Sequence, residues 1–180
     1  MFKNVIVYRL GADWAATVAQ IESSLNGARF VECGPSQERS IGWVEPRGEA
    51  HGPLVEAVGG QWLLKLMMEV KAVPASVLAR KVKEQVDHIE ATTGRKPGKK
   101  EKRDIKEDLK LSLLPMAFCK QTSVVVWIDP KARLLVLDAG SQAKADEAVS
   151  ALVKSLDGFA PTLLNTVTSP AVAMSEWLVS

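Results

Sequence analysis

Nothing in this 180-residue sequence stays apolar for long. The longest apolar runs, residues 123–128 and 134–137, fall far short of the ~20 residues with which a helix crosses a bilayer. The opening MFKNVIVYRL places one Lys before a strand-like alternation, without the apolar core and small-residue cleavage site of a signal peptide. A cytoplasmic protein without membrane contact is expected. Cysteine is nearly absent: Cys33 and Cys119 are too few for a disulfide framework or a zinc knuckle. Free cysteines behave as small hydrophobes, so both read as buried or incidental thiols. The two histidines, His51 in a Gly/Pro-rich loop and His88 in a charged helical stretch, have no ligand-spaced partner, and no metal site is expected.

Catalytic signatures are missing too. There is no GxSxG elbow, no Walker A loop and no GxGxxG after a strand. A metal-dependent nuclease needs clustered carboxylates to hold its ions. Asp129 and Asp138 flank a hairpin, but Asp129 before Pro130 reads as a turn residue and Asp138 as a helix-capping one. Binding rather than catalysis is expected, with no catalytic residue and no cofactor. A composition 47% hydrophobic and 24% charged argues against wholesale disorder and for a packed core.

What the sequence does have is charge gathered in one place. Residues 95–110 hold eight Lys or Arg and four Asp or Glu, a net +4 in a chain of net +2, which leaves −2 for everything else. Arg95, Lys96, Lys99, Lys100, Lys102 and Arg103 face a single carboxylate, Glu101, beside Gly94, Pro97 and Gly98. A loop–helix junction of this kind can offer cations and backbone N–H groups to phosphates. Nothing resembles a recognition helix or zinc finger, so the contact would be with the backbone, sequence-tolerant and salt-dependent. The bland alternative is a solvated helix in which Glu101, Asp104, Glu107 and Asp108 pair with Lys and Arg at three- and four-residue spacings. Beyond it, Pro115 breaks the pattern and leaves Met116-Ala117-Phe118 before Lys120. Phe118 is either one more core aromatic or an apolar wedge at a tip.

In chain order, residues 2–10 predict a strand, and Asp13 an N-cap for a helix over 14–25 with Trp14, Val18, Ile21 and Leu25 inward. Asn26-Gly27 would end it in a positive-φ turn. Short strands are expected at 29–33, from Gly42, and at 54–58, then a long strand at 61–73 after the Gly59-Gly60 turn. A helix opens near Pro74 and runs to about Ala91 with Leu78, Val82, Val86 and Ile89 inward. The basic helix starts near Lys99 and reaches at least Leu111. A hairpin follows, with strands 122–129 and 133–139. Ser141 caps a helix that buries Ala145, Ala148, Val149, Leu152 and Val153. A strand at 162–167 and a short helix at 174–179 with Trp177 docked complete the chain. The sum is an α+β fold of antiparallel sheets with packed helices in two similarly laid-out halves, one sheet in each, plus a projecting basic helical segment. The divisions fall at 1–91, 92–120 and 121–180, the last able to join the first in one continuous domain.

FKNVIVYRL, CGPSQ, GWVEPRG, GGQWLLKL, the run from VPASVLARK through the basic stretch to LLPMAF, and WIDPKARLLVLDAGSQ stand in one colinear order. With them the chain resembles the RdgC family of bacterial recombination-associated proteins over almost its whole length. The resemblance implies a nucleoid-associated homodimer that encircles double-stranded DNA through a positively lined hole. It also implies little sequence preference and restraint of RecA-dependent strand exchange. Residues from Arg95 to Lys106, Lys106 included, become candidates for the lining, and Phe118 with Lys120 for a finger-like tip. Family members are longer than this chain, and their remaining portion contributes to ring closure. A truncated or phage-type version and a protein that closes differently are both compatible with that. The family also carries an exonuclease label, and a protein-interaction module without DNA binding is the other alternative.

Overall fold

The computed structural model describes residues 2–179. Among them are seven strands: β1 (Val5–Arg9), β2 (Arg39–Val44), β3 (Glu56–Val58), β4 (Gln61–Lys71), β5 (Cys119–Asp129), β6 (Leu134–Asp138) and β7 (Thr162–Leu163). Five α-helices accompany them: α1 (Val18–Asn26), α2 (Ala75–Thr93), α3 (Lys99–Leu113), α4 (Gln142–Ser155) and α5 (Pro170–Val179). The protein is therefore α+β. Its strands form one sheet in the order β2-β4-β5-β6-β1-β7, with β3 beside β4, where the sequence suggests one sheet per half. Strand β1 pairs antiparallel with β6, Val5 opposite Asp138 and Arg9 opposite Leu134, and β5 with β6, Val126 opposite Leu137. None of the described helices is long and apolar enough to cross a membrane.

The chain divides into two compact units, neither continuous in sequence. The first comprises Met1–Ala28, Trp43–Leu66 and Val124–Ser180; the second comprises Arg29–Gly42 and Met67–Ser123. The first unit has a large apolar core. Leu135 and Leu137 of β6, Val126 and Ile128 of β5, Leu64 and Leu66 of β4, and Ile21 and Leu25 of α1 have no exposed surface. Helix α4 packs on β6. It buries Ala145, Ala148, Ala151 and Leu152, while Val153 is exposed. Ala151 takes the inward place the sequence gives to Val153, because it follows Ala148 by three residues on the arc that also holds Ala145 and Leu152, while Val153 falls outside that arc.

Several differences from the expected elements have local causes. Helix α1 begins at Val18 and not Trp14, because Thr17 and Gln20 make a capping box: Gln20 N–H donates to Thr17 Oγ1 at 3.3 Å and Thr17 N–H to Gln20 Oε1 at 2.8 Å. Trp14, left outside the helix, packs edge-on against Trp62 and Phe159. Gly27 caps α1 with φ −71°, in the right-handed region, so no positive-φ turn is needed there. Residues 29–33 contribute a single bridge at Arg29, and β2 starts earlier, at Arg39. Gly42 explains the close packing here: a Cβ on it would collide with backbone atoms of Arg29 and Phe30. Strand β7 is only two residues long, and Trp177 on α5 is 75% exposed. The Gly59-Gly60 turn takes positive φ at both residues, 61° and 84°, which matches the primed turn that β3 and β4 need.

Candidate nucleic-acid interface

In the second unit, α2 and α3 pack on one another through narrow apolar edges. The half-buried apolar residues are Val82, Val86 and Ile89 on α2 and Ile105, Leu109 and Leu113 on α3. Gly94 ends α2 at φ 70°, its N–H donating to Glu90 O, and Pro97 in the following loop is buried. After α3 a 3-10 turn, Leu114–Met116, buries Leu114 completely. Helix α3 is thus fixed at both ends by buried residues while burying none of its own.

That arrangement decides what the charges do. Arg95 makes a two-pronged contact with Glu101, at 2.8 and 3.2 Å, which holds the Glu101 carboxyl below its ordinary pKa. Lys96 Nζ lies 3.4 Å from Glu90, and Lys110 Nζ 2.6 Å from Glu38. Lys99, Lys100, Lys102, Arg103, Lys106 and Lys120 are exposed and have no carboxylate within ion-pair distance among the described residues. Asp104, Glu107 and Asp108 make no ion pair there either. The three- and four-residue pairing expected of a solvated helix is therefore absent inside α3.

Helical geometry accounts for part of this. Counting from Lys99, the cations Lys102, Arg103, Lys106 and Lys110 follow at three, four, seven and eleven positions, the repeat of a single helix face. Glu101, Asp104 and Asp108 stand three and seven apart on another face. Most charges that alternate along the sequence are thereby separated around the helix. Glu107, four residues after Arg103 and three before Lys110, stands at the border of the two faces and still makes no ion pair among the described residues. The result is a ridge of cations bordering the apolar edge of α3, unpaired until Lys110 at its far end. Arg95 and Lys96, placed at the core of the basic junction by sequence, are instead tied to carboxylates. With Pro97 buried, the loop they occupy is anchored.

Phe118 is not a core residue: 92% of it is exposed, with Met116 at 73% beside it. Lys120 follows on β5, which begins at Cys119. Exposed apolar surface of this size two residues from the unpaired Lys120 suits a contact in which one group stacks or wedges and the other meets a phosphate.

One functional-looking group escaped the sequence. Glu69, in β4, is a buried carboxylate that accepts from Cys33 N–H at 2.7 Å and from Gln121 Nε2 at 2.7 Å. The Gln121 amide, then the Cys33 N–H, hold it below the ordinary carboxylate range. Partial burial, and then this carboxylate, push the Cys33 thiol up, and partial desolvation, followed by the Glu69 charge, does the same for the Cys119 thiol. Such thiols are poor nucleophiles at neutral pH. Cys119 is exposed, not buried. No sequence signal marks Glu69, because its partners lie 36 and 52 residues away.

The carboxylates considered for catalysis are structurally engaged. Asp129 Oδ1 accepts from the N–H groups of Lys131 and Ala132, and its Oδ2 from Gln61 Nε2. Asp138 does not cap α4, a role Ser141 fills; its Oδ1 accepts from Asn4 and Lys3 N–H at 3.0 and 3.1 Å. Among the described residues no group of three or more His, Cys, Asp or Glu is placed to hold a metal ion.

A family model described as "Putative exonuclease, RdgC" matches residues 1–180. The chain is 40% identical over 177 residues to the recombination-associated protein RdgC of Dechloromonas aromatica, covering 98% of this chain and 58% of that protein. It is 42% identical over 179 residues to the protein of the same name from Herminiimonas arsenicoxydans, covering 99% and 59%. The chain thus spans about three fifths of the length of these curated relatives. With a family match from end to end and 40% identity over 98% of its length, the chain belongs to the RdgC family.

Proposed function

We propose that this chain binds double-stranded DNA without sequence preference, and that it modulates homologous recombination by occupying DNA that a RecA filament would otherwise engage. The observation that carries this reading is the ridge of Lys99, Lys102, Arg103 and Lys106 on one face of α3, with no carboxylate partner among the described residues. A structural helix would neutralise such charges locally; leaving them unpaired favours a polyanion as the counterion. Lys100 and Lys120 extend the positive surface, and Phe118 supplies an apolar contact at its end. The relatives' name, recombination-associated protein, supplies the biological context. The reading includes nucleoid association and a homodimer whose two copies bring their ridges to the same duplex.

The test is fluorescence anisotropy with two duplexes of unrelated sequence across a salt series. Matching affinities that fall linearly in log–log form with salt are expected. No binding at low salt would remove the proposal and leave a protein-interaction module. The family description favours a second reading, a metal-dependent exonuclease. Linear duplex incubated with Mg²⁺ or Mn²⁺ separates the two: shortening of the strands supports hydrolysis, and intact strands support binding alone.

A further inference from the structure

The first unit contains a small cavity whose lining is unlike the rest of its core. It measures about 190 Å³ and is walled by Leu10, Trp14, Trp62 and Pro130, with Arg133 as its charged member. Arg133 stands at the close of the β5–β6 turn with φ 56°, a left-handed conformation that a side chain with a Cβ adopts only under strain. Its backbone is held there: Asp129 Oδ1 accepts from Lys131 and Ala132 N–H, and Leu10 N–H donates to Arg133 O at 2.9 Å. Gly or Asn would serve that turn with less strain, so the turn alone does not account for an arginine.

The side chain is equally unsettled by its surroundings. Its Nη2 donates to Trp14 O across a long 3.4 Å, while Nε is buried and has no hydrogen-bond partner among the described residues. No carboxylate is within ion-pair distance of it there. A guanidinium N–H removed from water and unpaired is costly, and an arginine with one long hydrogen bond and no carboxylate partner keeps Nη donors that pair strongly with carboxylate oxygens. Trp14, already edge-on to Trp62 with ring centres 6.3 Å apart, adds an aromatic wall. One guanidinium without a set of backbone donors would leave a phosphate dianion under-coordinated, whereas it satisfies a monoanion.

We propose that this cavity is a binding site for a small organic carboxylate bearing an apolar or aromatic group, its oxygens on Arg133 and its apolar part against the wall formed by Trp14 and Trp62. Two sources share that chemistry, a free acid and the C-terminal carboxylate of a peptide. The site is independent of the cationic ridge on α3 and does not rest on the DNA reading.

Ligand-observed NMR on the full chain tests it with benzoate, its neutral isostere benzamide, inorganic phosphate, and N-acetylphenylalanine beside its amide. Benzoate and N-acetylphenylalanine should bind at least about tenfold more tightly than their amides, the ratio expected for loss of a charge-assisted pair. Benzoate binding alone assigns the site to free acids, and tighter binding of N-acetylphenylalanine to peptide ends. Arg133→Gln should lose this preference, and Trp14→Leu should weaken both acids while keeping the preference. Were Arg133→Gln to melt early, the acid-to-amide ratio on the unmodified chain still decides. Equal binding of acid and amide, phosphate binding as tight as benzoate, or no binding at about 10 mM, the weak limit of a specific contact, would overturn the proposal.

Discussion

Helices α4 and α3 are nearly the same length, 14 and 15 residues, yet they are built to opposite rules. In the first unit, α4 buries four residues against the sheet and its composition follows from that packing. In the second, α3 buries none, and its unit contains only Met68, Leu78 and Leu114 as buried apolar side chains, with Pro97 and Glu69. A helix held at its two ends, by Pro97 before it and Leu114 after it, does not need its flanks for stability. Those flanks are then available for charge. The first unit supplies the core, and the second supplies surface.

The contrast can be broken most decisively from the α4 side. Leu152→Ala should cost about 2–5 kcal/mol in urea denaturation, as for any enclosed leucine; a loss below about 1 kcal/mol would mean that α4 is no more packed than α3. Replacing Lys99, Lys102, Arg103 and Lys106 together with Ala should leave stability within about 0.5 kcal/mol, since exposed charges contribute little. The same variant should bind duplex DNA about 100-fold more weakly at low salt, with the salt slope flattened by about 0.9 for each phosphate no longer neutralised. If stability falls and binding does not, the ridge is structural. Asp138→Ala removes the oxygen that accepts two backbone hydrogen bonds from the start of the chain and should cost about 1–2 kcal/mol by thermal melting. Its carboxyl is held below the ordinary range, first by Asn4 N–H. Its contribution is therefore complete above the unfolded-state value of about 4 and disappears as pH falls through the lower folded one; the variant should not show that step in an acid titration. The smallest stability change belongs to Phe118→Ala, within about 0.5 kcal/mol for so exposed a side chain. A measurable drop in DNA affinity at constant melting temperature would place Phe118 with the ridge.

Much of the fold could be read from local chemistry. The Gly59-Gly60 turn, the hairpin at Asp129-Pro130, the Ser141 cap and the start of the basic helix at Lys99 all rest on contacts within a few residues. So does the capping box at Thr17 and Gln20, whose spacing was present in the sequence and outranks Asp13. What could not be read depends on distant partners. Burial of Glu69 requires Cys33 and Gln121, and the single sheet requires pairings between strands more than a hundred residues apart, such as β1 with β6. The cationic stretch was legible in content and not in arrangement. Counting charges along the chain identified the cationic stretch, but it mixed Arg95 and Lys96, which are paired, with Lys99 and Arg103, which are not. Only the contacts of Arg95 with Glu101 and of Lys96 with Glu90 separate them.

The separation has a kinetic side. With cations along one flank of α3 and Glu101, Asp104 and Asp108 along another, the helix carries an electrical moment across its axis, at right angles to the ordinary moment along it. In the field of a long polyanion such an object feels a torque as well as a pull. It turns its positive flank inward before contact, so fewer encounters are misoriented. Moving one carboxylate from the far flank to the near one would leave the net charge unchanged and still slow association.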